Sequence, residues 1–171
     1  MPTKASVKKT KKLPPNQRFF RRRQITGVEI PEEIDMGIVH AEITLKNAWD
    51  VTNVRRGLVK ETEVRQTVVK AVVDTGAMTL VINERLRRQL GLGLVGTRKA
   101  TLADNTKKIV KIAEAVEVHW KNRLMVCQPW VVDSGNILLG AIPLENMDLM
   151  VDPGKQTLVG VHGKKEVGFL L

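Results

Sequence analysis

The sequence lacks tyrosine altogether and has one cysteine, three histidines and no long apolar run. With only the thiol of Cys127, no disulfide can form within the chain, and we expect a reducing compartment, the cytoplasm. No stretch approaches the roughly 20 apolar residues that a membrane-spanning helix needs, and no apolar signal segment follows the basic start, so we expect no membrane partner. The histidines share no ligand spacing, and we expect neither a metal nor another cofactor.

What the chain has in excess is positive charge, and the excess lies at one end. The net charge is +10, yet residues 1–23 contain nine basic and no acidic residues, and the remainder has 19 basic and 18 acidic residues. Residues 1–30 show no periodic apolar pattern and predict a basic, disordered tail. The alternative is an arm that contacts nucleic acid or a ribosome through residues 4–23, where Phe19 and Phe20 stand beside arginines.

From Met36 onwards the sequence is typical of short strands separated by turns. Short runs rich in Val, Ile, Leu and Thr predict strands over residues 37–45, 67–73, 79–82, 124–127, 130–132, 137–139, 148–151 and 157–161. Asn83 predicts the N-cap of a helix over residues 84–90 that ends at Gly91. Pro143 is expected at the first position of one helical turn over residues 143–147.

Two regions are less regular. Residues 46–66 are polar and predict a broad loop with a short helix over residues 59–66. Residues 98–118 fit helical spacing, but their β-branched content favours strands, and periodicity alone leaves the choice open. About eight to ten strands and one or two short helices predict a mostly β closed barrel.

The stretch that could carry chemistry is Val72-Val73-Asp74-Thr75-Gly76-Ala77. It places an acid at the end of an apolar strand, where a sharp turn can bring the carboxylate out of the sheet. Gly76 allows a close approach that a side chain would block, and the Thr75 hydroxyl can lock the loop. In isolation, Asp-Thr-Gly is more often an ordinary turn than a catalytic loop.

The context of this motif resembles the active-site region of the retropepsin-like (retroviral-type) aspartic proteases. The motif is followed by Leu80-Val81-Ile82, then by Thr101–Lys107, which is similar to that family's flap hairpin, and then by Ile137-Leu138-Leu139-Gly140. The last run is similar to the hydrophobic-Gly segment that crosses behind the catalytic loop. The stretch from Gly140 through Pro153 resembles bacterial members of the group.

The resemblance implies an acid-protease barrel with one lobe per chain over residues 36–163, followed by a C-terminal tail or interface strand over residues 164–171. It also implies strands for residues 98–118. For catalysis it implies Asp74, Thr75 and Gly76. For substrate binding it implies Ala77, Ala103, Asp104 and Asn105. For support of the active site from behind it implies Leu138, Leu139 and Gly140.

The implied activity is that of an endopeptidase on peptide or protein substrates. Two aspartates held together share one proton and activate a water molecule, and no metal is required. Asp133-Ser134-Gly135 could supply a second aspartate, but the Leu138-Leu139-Gly140 run follows with no space for a second flap. We therefore expect a two-fold homodimer in which Asp74 of each copy contributes one carboxylate. The alternative is a catalytically silent dimeric binding module of the same fold with a basic, nucleic-acid-contacting arm.

Other patterns are weaker. The run from Gly91 to Gly96 has the spacing of a dinucleotide-binding loop but follows a predicted helix rather than a strand. Cys127 lies in an apolar strand and is expected to be a buried, unreactive thiol. The flap tip at Asp104-Asn105 departs from the glycine-rich tip of viral enzymes.

Overall fold

The computed structural model describes residues 37–101 and 105–163. These residues form eleven strands, three α-helices and one 3-10 turn, and the fold is mostly β. The strands are β1 Val39–Asn47, β2 Gln66–Val73, β3 Val81–Asn83, β4 Leu94–Thr101, β5 Lys107–Ala113, β6 Val116–Trp120, β7 Arg123–Cys127, β8 Trp130–Val132, β9 Leu138–Leu139, β10 Leu149–Asp152 and β11 Thr157–Gly160. The helices are α1 Ala48–Arg55, α2 Glu84–Gln89 and α3 Ala141–Asn146, and the 3-10 turn is Glu61–Glu63.

Nine strands form one sheet in the order β4-β5-β8-β3-β9-β2-β1-β6-β7, and β10 pairs with β11 in a separate hairpin. Most neighbours are antiparallel, but β9 runs parallel to β2 and β8 runs parallel to β3. Within the described ranges, β4 and β7 are the two ends of the pairing order. Closure into a barrel therefore stays a prediction, as do the domain boundaries.

The core lies on one face of this sheet because the strands alternate. In β1 the odd-numbered positions from Val39 to Asn47 are buried, and the even-numbered ones are exposed or half-buried. Ile43 and Leu45 pack with Leu80, Ile82 and Leu139 in a single hydrophobic cluster. Burying a side chain of this size contributes about 1.5–3 kcal/mol, so hydrophobic burial stabilises the strands on either side of residues 74–79.

Several predictions of local structure are confirmed. The described part of residues 98–118 contains the end of β4, the whole of β5 and the start of β6, which are the strands that the family resemblance implied. The Asn83 side chain accepts a hydrogen bond from the Leu86 amide at the start of α2, and Gly91 after the helix has a φ of +61°. That positive φ is the left-handed conformation that ends many helices.

Within residues 46–66, the position predicted for the short helix was wrong. The helix is α1, which begins directly after β1, whereas residues 59–66 contain only a single 3-10 turn. Asn47 explains the early start, because its Oδ1 accepts hydrogen bonds from the amides of Trp49 and Asp50 at 2.9 and 3.2 Å. Asp50 in turn accepts two 2.7 Å hydrogen bonds from the Arg65 guanidinium, which closes the insertion onto β2.

The number of helices was also underestimated, and Pro143 occupies the third position of α3 rather than the first. The first turn of a helix tolerates proline at any of these positions because their amides have no partner within the helix. The predicted tail over residues 1–30 and the predicted C-terminal segment 164–171 lie outside the described residues. No helix in the described ranges is long and apolar enough to span a membrane.

Candidate active site

Asp74 follows the last residue of β2, and its backbone is held by β9. The Asp74 amide donates to the Leu139 carbonyl at 3.0 Å, and the Val72 amide donates to the Ile137 carbonyl at 2.8 Å. The parallel register pairs Val72 with Leu138 and Val73 with Leu139. The hydrophobic-Gly run therefore lies directly beside the strand that carries Asp74, as the resemblance implied.

The carboxylate of Asp74 is oriented by its own loop. Its Oδ1 accepts a 2.9 Å hydrogen bond from the Gly76 amide, and its backbone carbonyl accepts one from the Ala77 amide at 3.1 Å. A Cβ added at Gly76 would lie 3.1 Å from that Oδ1, tighter than most contacts of a side chain. Asp74 stays half-exposed, so its second oxygen can meet another molecule.

The rest of the loop is fastened to the start of α3. The Ala141 amide donates to the Ala77 carbonyl at 2.8 Å, and the Ile142 amide donates to the Met78 carbonyl at 3.0 Å. Amides in the first turn of a helix lack partners within it, and here the loop supplies them. Gly140 makes this approach possible, because a Cβ there would lie 2.4 Å from the Thr79 carbonyl oxygen and 2.5 Å from that of Ala77.

Apolar side chains surround this loop on the outside. Met78 is 45% exposed and Ile142 is 40% exposed. Both residues belong to the two segments that these hydrogen bonds join. The sequence indicated no functional role for either, because an apolar residue beside a buried strand is ordinarily expected in the core. Thr75 is also exposed, and its expected role in locking the loop stays a prediction.

The predicted flap forms an antiparallel hairpin of β4 and β5, with Thr101 opposite Lys107 where the strands meet the tip. Asn105 in this tip has a φ of +63°, which asparagine tolerates better than most residues. Ala103 and Asp104 lie outside the described residues. Contact of the tip with substrate stays a prediction.

Other candidate residues lie elsewhere. Asp133 follows β8, is 85% exposed and faces Lys111 Nζ at 3.7 Å. Burial raises the pKa of the Cys127 thiol to about 12, which agrees with the unreactive thiol that we expected. His119 contacts Glu117, His162 contacts Asp148, and the described ranges contain no cluster of three or more ligand-type side chains that could hold a metal.

Two features were not anticipated. Arg123 is almost fully buried and donates to the carbonyl of Met147 at 2.7 Å, to Asp148 Oδ2 at 2.9 Å and to the carbonyl of Gly163 at 2.9 Å. No sequence signal marks it, because an arginine in a short strand is ordinarily exposed. A cleft of about 450 Å³ beside β1 is lined by residues that include His40, Glu42, Thr44, His119 and Lys121. None of the predicted site residues lines this cleft.

Comparison with known proteins agrees with the geometry. Residues 60–142 match the family model described as aspartyl protease. Among solved structures, the chain is similar to EIAV protease complexed with the inhibitor HBY-793, at 16% identity and a TM-score of 0.43, over 67% of this chain and 92% of that one. It is also similar to the retroviral protease-like domain of Ddi1 from Leishmania major, at 17% identity and a TM-score of 0.45, over 78% of this chain and 94% of that one.

No curated protein matches the sequence. The matched residues 60–142 include the whole of β2, the loop from Asp74 to Thr79, both strands of the predicted flap, and Gly140 with the start of α3. Over those residues, just under half of its length, the chain is similar to the aspartyl proteases.

Proposed function

We propose that the protein is an aspartic endopeptidase that acts as a homodimer, with Asp74 of each subunit as the catalytic carboxylate. The observation that carries the proposal is the Asp74 carboxylate itself. It is half-exposed directly after β2, its Oδ1 accepts a hydrogen bond from the Gly76 amide at 2.9 Å, and its loop is hydrogen-bonded to β9 and α3. Such a carboxylate keeps its position without being shielded from a second molecule.

A homodimer follows from the chemistry. Hydrolysis by a water molecule between two carboxylates needs two aspartates, and this chain has one Asp-Thr-Gly sequence. A two-fold axis beside the loop would place one Asp74 next to its copy. The exposed side chains of Thr75, Met78 and Ile142 favour a contact there, because apolar surface next to an axis is covered when the copies meet. Each chain then supplies one lobe of a closed active-site barrel.

The reaction balances with these groups alone. Two adjacent carboxylates cannot both stay ionised, so the pair holds one proton. The ionised partner takes a proton from the water, whose oxygen attacks the peptide carbonyl carbon, while the protonated partner donates its proton to the carbonyl oxygen. The intermediate, which carries two hydroxyl groups on one carbon, then collapses: the pair gives its proton to the leaving nitrogen, the C–N bond breaks, and one hydroxyl returns its proton to the pair as the carbonyl re-forms, so that one shared proton remains.

The other site residues serve this reaction without touching the transferred protons. Thr75 would stabilise the loop across the axis, Gly76 and Ala77 would contact the substrate backbone, and Leu138, Leu139 and Gly140 would hold the loop from behind. The flap tip at Ala103, Asp104 and Asn105 would close over the bound peptide. A statine-type inhibitor, which mimics the tetrahedral intermediate, should bind only when both carboxylates are present.

The test compares wild type with Asp74→Asn and, as the matched control, Asp133→Asn. We expect cleavage of an unbiased peptide library by wild type and Asp133→Asn, none by Asp74→Asn, and sedimentation as a dimer for all three. If one dyad is shared between subunits, mixing equal amounts of wild type and Asp74→Asn should lower the activity per wild-type subunit to about half, because only a quarter of random dimers keep both carboxylates.

Four results would contradict all or part of the proposal. Cleavage that survives Asp74→Asn would remove Asp74 from the mechanism. A monomer that cleaves, or a mixed sample whose activity is undiminished, would remove the shared dyad and return attention to Asp133. A dimer that cleaves nothing would favour the binding module.

A further inference from the structure

The predicted flap hairpin holds the whole charge excess of the described residues. Its strands β4 and β5 contain five basic residues and no acidic one. The rest of the described residues contain twelve basic and twelve acidic side chains and are electrically balanced. Within the described residues, the excess positive charge is therefore concentrated in one element.

Within the described residues, only one of these five charges has an ion-pair partner. Arg98, Lys99, Lys107 and Lys108 make no ion pair within the described ranges, and Lys111 reaches only the exposed carboxylate of Asp133 at 3.7 Å. By contrast, four arginines outside this hairpin have close ion pairs of 2.7–2.9 Å, namely Arg55, Arg65, Arg87 and Arg123. Unpaired, clustered lysines repel one another, and an anionic partner would relieve that repulsion.

The strand register gathers three of the lysines on one side. Lys99 lies opposite Ile109, and Lys107 and Lys111 are the residues two positions before and after Ile109 on the same strand. Alternation along a strand therefore places all three lysines and Ile109 on one face, with diagonal neighbours about 7–8 Å apart. Ile109 is 66% exposed at the centre of this group. We call the surface formed by Lys99, Lys107, Lys111 and Ile109 the lysine face.

The opposite face of the hairpin is buried in part. It carries Ala100 and Val110, which are 6% and 5% exposed, and also Arg98 and Lys108, which are exposed. The lysine face is thus the outer face, and it lies next to an open strand edge. Among the described residues, β4 pairs only with β5, and Leu94 and Val95 at its start are 48% and 53% exposed.

We propose that the lysine face and the open edge of β4 together bind an extended acidic polypeptide segment. Such a segment can add as a further strand to β4, with backbone hydrogen bonds along the edge and alternate carboxylates directed at the lysines. Its remaining apolar side chains would cover Ile109. The surface is less suited to single-stranded nucleic acid, because residues 94–113 contain no aromatic side chain on which a base could stack. The proposal does not depend on the chemistry at Asp74.

The test measures binding rather than cleavage, on the full chain carrying Asp74→Asn so that the probe stays intact. The probe is a fluorescent peptide of alternating glutamate and valine, and its counterpart has glutamine in place of glutamate. The test variant is Lys99→Gln/Lys107→Gln/Lys111→Gln. The matched control is Lys60→Gln/Lys70→Gln/Lys155→Gln, which removes the same charge from exposed lysines on other elements.

We expect the glutamate peptide to bind, the glutamine peptide to bind at least tenfold more weakly, and added salt to weaken the complex. The hairpin variant should lose about tenfold in affinity, the effect of three exposed ion pairs, and the control variant should not change. Unchanged melting temperatures would verify that both variants are folded.

The proposal fails if the glutamate peptide does not bind at low salt, or if both triple variants lose affinity equally. It also fails if a single-stranded oligonucleotide of equal charge displaces the peptide and binds more tightly. Because the assay contains no cleavage step, none of these three results bears on the proposed protease.

Discussion

Replacing Gly140 by alanine tests how closely the active-site loop and α3 must approach. The added Cβ would lie 2.4 Å from the Thr79 carbonyl oxygen, 2.5 Å from that of Ala77 and 2.8 Å from the Thr79 nitrogen. All three atoms belong to the backbone, so no side-chain rotation can make room. Either the loop or α3 has to move.

The cost can be worked from these contacts. Overpacking of one methyl group costs about 1–3 kcal/mol. Separation of the two segments would also weaken the hydrogen bonds from the amides of Ala141 and Ile142, each of which contributes about 1 kcal/mol. We expect a loss of about 3 kcal/mol in the free energy of unfolding, which corresponds to a melting temperature lower by roughly 10 °C. Peptidase activity should fall further than stability, because the same shift displaces Asp74.

The matched control is Gly96→Ala in β4. A Cβ at Gly96 meets nothing within 4 Å, and this glycine does not have a positive φ. Alanine there should be neutral or stabilise by about 0.5 kcal/mol. Thermal and urea unfolding of both variants measures the loss of stability. Peptide cleavage is measured at a temperature where both variants are folded. If Gly140→Ala unfolds and cleaves like Gly96→Ala, the close approach is not what positions the loop.

Three further predictions concern other parts of the chain. With its pKa raised to about 12 by burial, Cys127 should react with a thiol reagent at pH 8 about a thousandfold more slowly in the folded protein than after denaturation; equal rates would contradict the burial. The hydrogen bonds from Arg65 lower the pKa of Asp50 despite its partial burial, so Asp50→Asn should cost about 1 kcal/mol at pH 7 in this partly exposed, solvent-screened pair. Because the folded pKa lies below the unfolded one, this difference should shrink as the pH falls through about 4 towards 2, and a constant difference in unfolding titrations would refute the cause. Arg123→Met should cost about 3 kcal/mol in urea unfolding, since it removes the donor from the buried Met147 carbonyl and one hydrogen bond each from Asp148 and the Gly163 carbonyl, and a loss below 1 kcal/mol would show that the network is dispensable.

The local elements of the fold were largely predictable. The run Thr67–Val73 predicts a strand and Asn83 a helix cap, because alternation and side-chain capping are properties of a few adjacent residues. The same rule would have found α1, since Asn47 stands directly before its first turn, but the polar composition of residues 46–66 favoured a loop. Residues 98–118 were settled by the family resemblance, since short apolar runs satisfy both helical and strand spacing.

The candidate site was predictable in its residues and not in its geometry. Asp74 and the Leu138-Leu139-Gly140 run were identified from the sequence, and the parallel pairing of β2 with β9 brings them together. The exposure of Met78 and Ile142, the buried Arg123 and the outer position of the lysine face depend on how distant strands meet.

The sequence by itself determined the acid at the end of an apolar strand, the glycines around it and the excess of lysine in one hairpin, because these are matters of composition and neighbouring order. Only the tertiary structure decided that Gly140 faces the backbone of the Asp74 loop and that the lysines share one face. The physical reason is that parallel pairing and cross-strand register bring together residues far apart along the chain. Many weak contacts between distant residues select one such pairing, and a local sequence pattern does not contain that information.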